Sequence, residues 1–518
     1  MIVGPIFVRE AMTAPRRFRH YLARTTYSGG MLVLMWTAWQ VLVGFQRVES
    51  AGDVARFGSV LFRLLSVVQL ALAMFFAPIV ACSSISSEKD RRTLDLLLMT
   101  DLTNWEIVMG KLLGSLLQMG VLLACSVPVF SVCLLLGGAS PEQVARVFAV
   151  TAAAALASGS LGILMAAARD KTFQALALTV LIIAIYLVGV AIAMLRVWNP
   201  SRGGPTYLRE AAEELERRLA AEPKEPERSR SIWDNPVLWR EMCTRAYGRR
   251  PLVIKVAYVL VFAMIAAGFY LAASGSSQVG RLDVAKALVP IVITSLILIN
   301  VQAVTSITSE RDVRALDLLL VTDLTPKEFI FGKILGVLYN TKEMVVLPIG
   351  LCACLLVRGD VGLESCVYLV GGVLVLITFA TALGLHAALA YEKTRLAVVN
   401  SLGTIVFLFI GIMICIFLIL ISSRFESQAA SFVVFLCGGA VGLYASLAVR
   451  NQSMALALVS FLCPWGTWWA IVHFLQGGDP GGSFLVSALS YSFAVLAMLV
   501  PAVSEFDVAL GRTVADEG

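Results

Sequence analysis

The sequence is short of charge. Only 15 % of its 518 residues are Asp, Glu, Lys or Arg and 58 % are apolar, against about 25 % and about 45–50 % in soluble domains. A soluble chain of this composition would expose apolar patches it could not cover, so a string of soluble domains is excluded. Other absences narrow the function. No Gly-x-x-x-x-Gly-Lys-Ser/Thr occurs, and Gly110-Lys111 and Gly332-Lys333 lack the upstream glycine, so the chain has no phosphate loop and is not itself an ATPase. The longest polar segment, 196–255, is too short for a nucleotide-binding domain. Cys-x-x-Cys is absent, and the ten cysteines scatter through apolar stretches as small packing residues. Cys352 and Cys354 should face different sides of a helix. A net charge of +6 without a basic patch interleaved with aromatics gives no reason to expect nucleic acid. Nothing marks a catalytic centre, a metal site or a cofactor site. The N-terminus lacks the order of a cleavable signal.

What remains is a series of charge-free stretches: 29–46, 64–87, 112–141, 147–168, 172–195, 256–280, 287–309, 365–391, 396–423, 427–449, 451–478 and 480–504. Most exceed the roughly 20 residues a helix needs to cross about 30 Å of hydrocarbon. The expected fold class is all-α, a polytopic transmembrane helical bundle. Thirty-two of the 41 Lys and Arg residues fall in one alternate set of connections and eight in the other. By the positive-inside bias the first set, with both termini, is cytoplasmic, and in a bacterium the membrane is the inner one. Five spans precede the basic linker and eight follow it if 334–357 is included. The odd number means that 112–141 or 172–195 hides a re-entrant hairpin, or that a span is misjudged. Within the linker, Tyr207 to Ala221 reads as a short charged helix.

Residues 83–114 and 305–336 align without gaps at an offset of 222, with 20 of 32 positions identical. The matches are not mere apolarity: they include Glu88/Glu310, Asp90/Asp312, Arg92/Arg314, Asp95/Asp317, Thr100/Thr322, Asp101/Asp323, Glu106/Glu328 and Lys111/Lys333. Pro5–Glu10 matches Pro236–Glu241, and Arg169–Thr172 matches Tyr391–Thr394, in the same order. The chain therefore reads as a tandem duplication of one membrane module, with the copies parallel. The expected division is 1–198, a charged linker at 199–231, and 232–518 with additional C-terminal spans.

Ser87–Asp90 and Ser309–Asp312 have the form of capping boxes that would each start a short helix. On it Leu94, Leu97 and Leu98, or Leu316, Leu319 and Leu320, would share a face. Thr103–Glu106 and Thr325–Glu328 are capping boxes for the next helix, with Pro326 at its first position. Each copy thus projects a short amphipathic helix on a tight turn.

The pattern Ile-(Ser/Thr)-x-Glu-(Lys/Arg)-Asp through Leu-Asp-Leu-Leu-Leu-x-Thr-Asp-Leu-Thr to Gly-Lys-x-Leu, carried at 85–113 and 307–335, resembles permeases of the ABC type 2 family, the membrane subunits of ATP-driven exporters. The resemblance implies an amphipathic helix before the first span, at 4–27 and 232–251. It also implies a coupling helix seated in a groove of a separate ATP-binding subunit, at 83–104 and 305–326, within coupling loops 83–110 and 305–332. ATP would be used by that partner, and this chain would carry no cofactor. Residues for docking it, or for bracing the turn, are Glu88, Asp90, Arg92, Asp95, Thr100 and Asp101, with Glu310, Asp312, Arg314, Asp317, Thr322 and Asp323. Five evident spans stand in the first half where the family usually has six, and extra spans follow 423. Lys342 and Glu343, within membrane depth, either face a substrate pathway or lie at the interface with their span starting near Met344. His386 is expected to be an interfacial hydrogen-bonding residue. The rival function is an ATP-independent secondary transporter or channel, which would not need duplicated docking helices.

Overall fold

The computed structural model describes residues 18–43, 51–90, 103–168, 172–198, 236–243, 251–274, 281–312, 325–421, 428–450 and 452–504, with Phe7, Met12 and Met99. Fifteen helices and no strand are found among them. The first five are α1 Phe18–Leu42, α2 Ala51–Asp90, α3 Asn104–Leu135, α4 Pro141–Ala168 and α5 Thr172–Trp198. The next five are α6 Pro236–Cys243, α7 Pro251–Ser274, α8 Arg281–Asp312, α9 Pro326–Asn340 and α10 Lys342–Val357. The last five are α11 Leu363–Ala390, α12 Thr394–Ile421, α13 Gln428–Leu447, α14 Met454–Leu475 and α15 Pro480–Ser504. Ten described helices are long and apolar enough to cross a membrane, and α9 with α10 forms a bent pair that makes an eleventh. The protein is a multi-pass membrane protein. Of the thirteen expected stretches, α1 and α5 fall outside that count; the apolar part of α5 is described over Gln174–Leu187.

Helix boundaries carry the offset of 222 well beyond the matched motif. The ends of α2 and α8 at Asp90 and Asp312, the span of α3 against α9–α10, the whole of α4 against α11, and the starts of α5 and α12 all coincide. So do the turns. Gly137 and Gly359 both take the left-handed conformation, φ 73° and 78°, where a side chain would be strained. Thr103 and Thr325 both accept from the N–H three residues on, while Glu106 and Glu328 reach back to the cap N–H. Both of these capping boxes form as the sequence indicates, with Pro326 at the first turn of α9.

Two local expectations are corrected. The boxes at Ser87 and Ser309 start no helix, because α2 and α8 run through them to Asp90 and Asp312. Ser309 Oγ instead donates to the Thr305 carbonyl at 2.6 Å, one turn back. Extending a helix that already exists needs no nucleus, so an internal serine is absorbed. Nor does the first half hold a re-entrant hairpin within 112–141 or 172–195, since α3 and α5 are each one helix. The break lies in the second copy, where α9 and α10 bend by 60°. At the joint, Thr341 Oγ1 donates to the Val337 carbonyl at 2.8 Å. The linker and its expected helix at 207–221 lie outside the described residues.

The core is built where small residues let helices approach. A Cβ on Gly384 of α11 would lie 2.6 Å from the Ala303 Cβ and 2.9 Å from the Asn300 carbonyl of α8. Its counterpart Gly162 of α4 meets the Pro78 carbonyl of α2 at 2.6 Å, and 78 and 300 are again 222 apart. Above Gly384, Asn300 Nδ2 donates to the Ala380 carbonyl at 2.9 Å and Ser401 Oγ donates to Asn300 Oδ1 at 2.9 Å, tying α8, α11 and α12 together. A second cluster joins the two halves, with Leu34 and Ala38 of α1 and Leu61 and Leu65 of α2 against Leu418 of α12 and Phe432 of α13. Nine of the ten cysteines are free; Cys352 is buried and Cys354 exposed, as expected for positions two apart on a helix.

Candidate functional site

The repeated motif lies at the C-terminal ends of α2 and α8, and each end is fastened the same way. Two consecutive residues do it. In the first copy Glu88 accepts from Lys111 Nζ of α3 at 2.5 Å. The next residue, Lys89, donates to the Ala166 and Ala167 carbonyls at the end of α4, at 2.8 and 2.6 Å. In the second copy Glu310 accepts from Lys333 Nζ of α9 at 2.7 Å, and Arg311 Nη1 donates to the Ala388 carbonyl of α11 at 2.9 Å. Each partner sits 222 residues from its twin. A cation set against the last carbonyls of a helix satisfies acceptors the helix cannot satisfy itself and opposes the negative end of its dipole. The helix leading into each motif loop is thereby clamped to two later helices of its own copy, α3 and α4 in the first and α9 and α11 in the second.

The second clamp shows a further layer. The short helix α6 lies on α9, and its Glu241 accepts from Lys333 Nζ at 2.6 Å. Lys333 also donates to the Ser306 carbonyl at 3.0 Å. All three ammonium protons are thus directed to acceptors. The Lys333 and Glu241 side chains are 0 % and 1 % exposed, whereas Lys111 and Glu88 in the other copy are 6 % and 22 % exposed. Arg240 pairs with both Glu310 and Glu241, so two cations and two carboxylates balance. Burial alone would lower the Arg240 pKa, but the carboxylates of Glu310 and Glu241 outweigh it and raise it above the ordinary guanidinium value. Close approach of α6 depends on Gly336, where a Cβ would come within 2.6 Å of the Glu241 Cβ. Asn340 Nδ2, at the end of α9, donates to the Glu241 carbonyl at 3.3 Å.

Of the residues singled out from sequence, Glu88 and Glu310 are therefore turned inward to lysines. Asp90 closes α2, and Asp312 accepts from the Thr394 hydroxyl at the start of α12. Arg92, Asp95, Thr100, Asp101, Arg314, Asp317, Thr322 and Asp323 lie outside the described residues, as do half of 4–27 and the leucine faces of both loops. Lys342 and Glu343 sit at the α9–α10 joint and point apart. Glu343 accepts from Lys255 of α7 at 2.7 Å, and exposed Lys342 rests 4.9 Å from the Tyr339 ring centroid. His386 Nε2 is 2.9 Å from the Leu447 carbonyl. Sequence reasoning passed over Lys111, Lys333, Arg240 and Glu241 as site residues. Their signal was available in two places: a matched lysine immediately before each of the stretches 112–141 and 334–357, and the matched Arg-Glu pairs at 9–10 and 240–241.

Against known proteins, residues 22–208 match the family model described as ABC-2 family transporter protein. No curated protein and no solved structure gives a match.

Proposed function

We propose that the chain, whose residues 22–208 match the model of the ABC-2 family transporter proteins, is an export subunit moved by a separate ATPase that grips both motif loops. The observation supporting this reading most directly is the double clamp. A loop hung from a helix whose end is fixed to two neighbours passes any displacement to all three. In the first copy those helices are α2, α3 and α4, and in the second α8, α9 and α11. Nucleotide-driven closure of an ATPase pair would pull both loops together and rock one module against the other. Asp95, Asp101, Asp317 and Asp323 are the docking residues in this reading, because Glu88 and Glu310 are engaged internally. Both termini and both loops then face the cytoplasm of a bacterial cell.

The test is purification of the tagged chain from its own membranes. A polypeptide with ATPase motifs should accompany it and be lost in the Asp95→Lys/Asp317→Lys double variant while the membrane subunit still inserts. Retention of the ATPase in that variant would overturn the docking assignment. Transport that proceeds on an ion gradient without ATP would overturn the reading as a whole, in favour of a secondary transporter.

A further inference from the structure

The second module holds a partly open cavity. Its volume is about 180 Å³, and it lies among α8, α11, α12, α14 and α15. Two of those five, α14 and α15, follow the end of the repeat. The walls are apolar: Leu296, Val375, Phe379, Ile405, Leu408 and Phe484 supply much of them, and no charged residue lines the space. Three hydroxyls reach the wall, from Thr467, Ser487 and Tyr491. Thr467 and Tyr491 bond to each other at 3.1 Å, and Thr467 Oγ1 also donates to the Cys463 carbonyl at 2.6 Å. The polar atoms here largely answer to one another and ask little of a guest.

Depth fixes the chemistry of the guest. On α11 the lining runs from Gly372 to Ala380, and on α12 from Ile405 to Ile412. These positions lie nine or more residues from either end of their helices, which at 1.5 Å per residue is about 13 Å or more from the ends. The cavity therefore opens at the level of hydrocarbon, where water is scarce. Apolar cavities of about 150 Å³ lined by Leu, Ile and Phe stay dry and take up apolar guests. A charged or strongly hydrated solute would find no partner here.

We propose that this cavity is a binding site for a hydrocarbon chain, the acyl tail of a lipid or lipid-like amphiphile, held by the appended helices of the second module. The site is independent of the ATPase reading, since it needs only the bilayer. One source of the chain is a resident membrane lipid; another is a transported amphiphile carrying the same kind of tail.

Gly372 makes the test clean. It lines the cavity, and a Cβ built there meets nothing within 4 Å, so the side chain of Gly372→Phe starts into the space without a clash at its Cβ. The full chain is reconstituted in vesicles of phosphatidylethanolamine and phosphatidylglycerol containing a phospholipid with a diazirine in mid-chain. Labelled peptides are then mapped by mass spectrometry. Labelling should concentrate on 372–380 and 484–491 and fall about tenfold or more in Gly372→Phe. It should persist in Gly350→Phe, where a Cβ likewise meets nothing within 4 Å but the position is not on the cavity wall. Ala488→Phe, from the opposite wall, provides a second filling variant should Gly372→Phe not fold. Labelling spread evenly over the lipid-facing helices, or unchanged in both filling variants, would overturn the proposal. Co-purified lipid that survives delipidating washes identifies a resident lipid. Label that exchanges with a diazirine fatty acid added from outside identifies a passing amphiphile. Either supports the site.

Discussion

At the residue scale the decisive group is Lys333. An ammonium with no exposed surface is tolerable only because two carboxylates and a carbonyl take its three protons. Lys333→Met leaves Arg240 as the one cation for two carboxylates and is expected to destabilise the protein by about 3–5 kcal/mol, read as a lowered unfolding midpoint in detergent. Adding Glu241→Gln should recover part of the loss, because one stranded charge is removed. Lys111→Met should cost clearly less, since its partner Glu88 is 22 % exposed and water can stand in for the missing cation. The caps offer a milder comparison: Thr103→Ala and Thr325→Ala are each expected to cost about 1 kcal/mol. Being on separate helices, they should add in the double variant. These caps were legible in advance because an N-terminal box is a local pattern, complete within four residues. The clamp was legible only as matched letters. A lysine in a membrane stretch announces a need for partners without saying which residues, 23 or 92 positions away, supply them.

At the scale of the element, sequence periodicity located nearly every helix, because a charge-free stretch of sufficient length has few other fates in a membrane. It misplaced two things. Ser87 and Ser309 carry the letters of a cap but sit in helices that were already running, so the pattern had nothing left to start. Parity left a hairpin in the first copy or a misjudged span as the alternatives, whereas the break in the structure occurs at Thr341, where a run of Asn-Thr-Lys-Glu shows no helix breaker. The bend arises from tertiary ties on either side of the joint: Asn340 to α6 and Glu343 to Lys255 of α7. Replacing Thr341, Lys342 and Glu343 by the residues at the matching positions of the continuous α3, as Thr341→Met/Lys342→Gly/Glu343→Val, should relax it. Spin labels at positions 330 and 352 should then move further apart. The close crossings were hidden for a different reason. Gly162 and Gly384 look like ordinary small residues until the neighbouring backbone is in place. Gly384→Leu is expected to abolish stable expression, whereas Gly350→Leu, with open space around it, should be well tolerated.

At the scale of the whole molecule, the duplication sets the expectations. Twin loops on one face should report the same side of the membrane. Cysteines introduced at exposed Met99 and at its counterpart 321 should both react with an impermeant thiol reagent only after the cytoplasmic side is opened, in a background lacking the native exposed cysteines. Reaction from opposite sides would contradict the parallel arrangement. The order of matches along the chain revealed the repeat. Apart from the short match at Arg169–Thr172, it did not show that helix ends would stay in step for the 58 residues from 114 to 172, because the turn geometry that keeps them in step is set by backbone conformation at positions such as Gly137 and Gly359. Fusing the two copies in a single chain also frees them from having to be alike. A pair of identical subunits must present two identical levers to its motor, but here one lever is the unbroken rod of α3 and the other the jointed α9–α10. An equal stroke at the two loops would be delivered stiffly on one side and through an elbow on the other, so the two halves of the pathway would not open by the same amount.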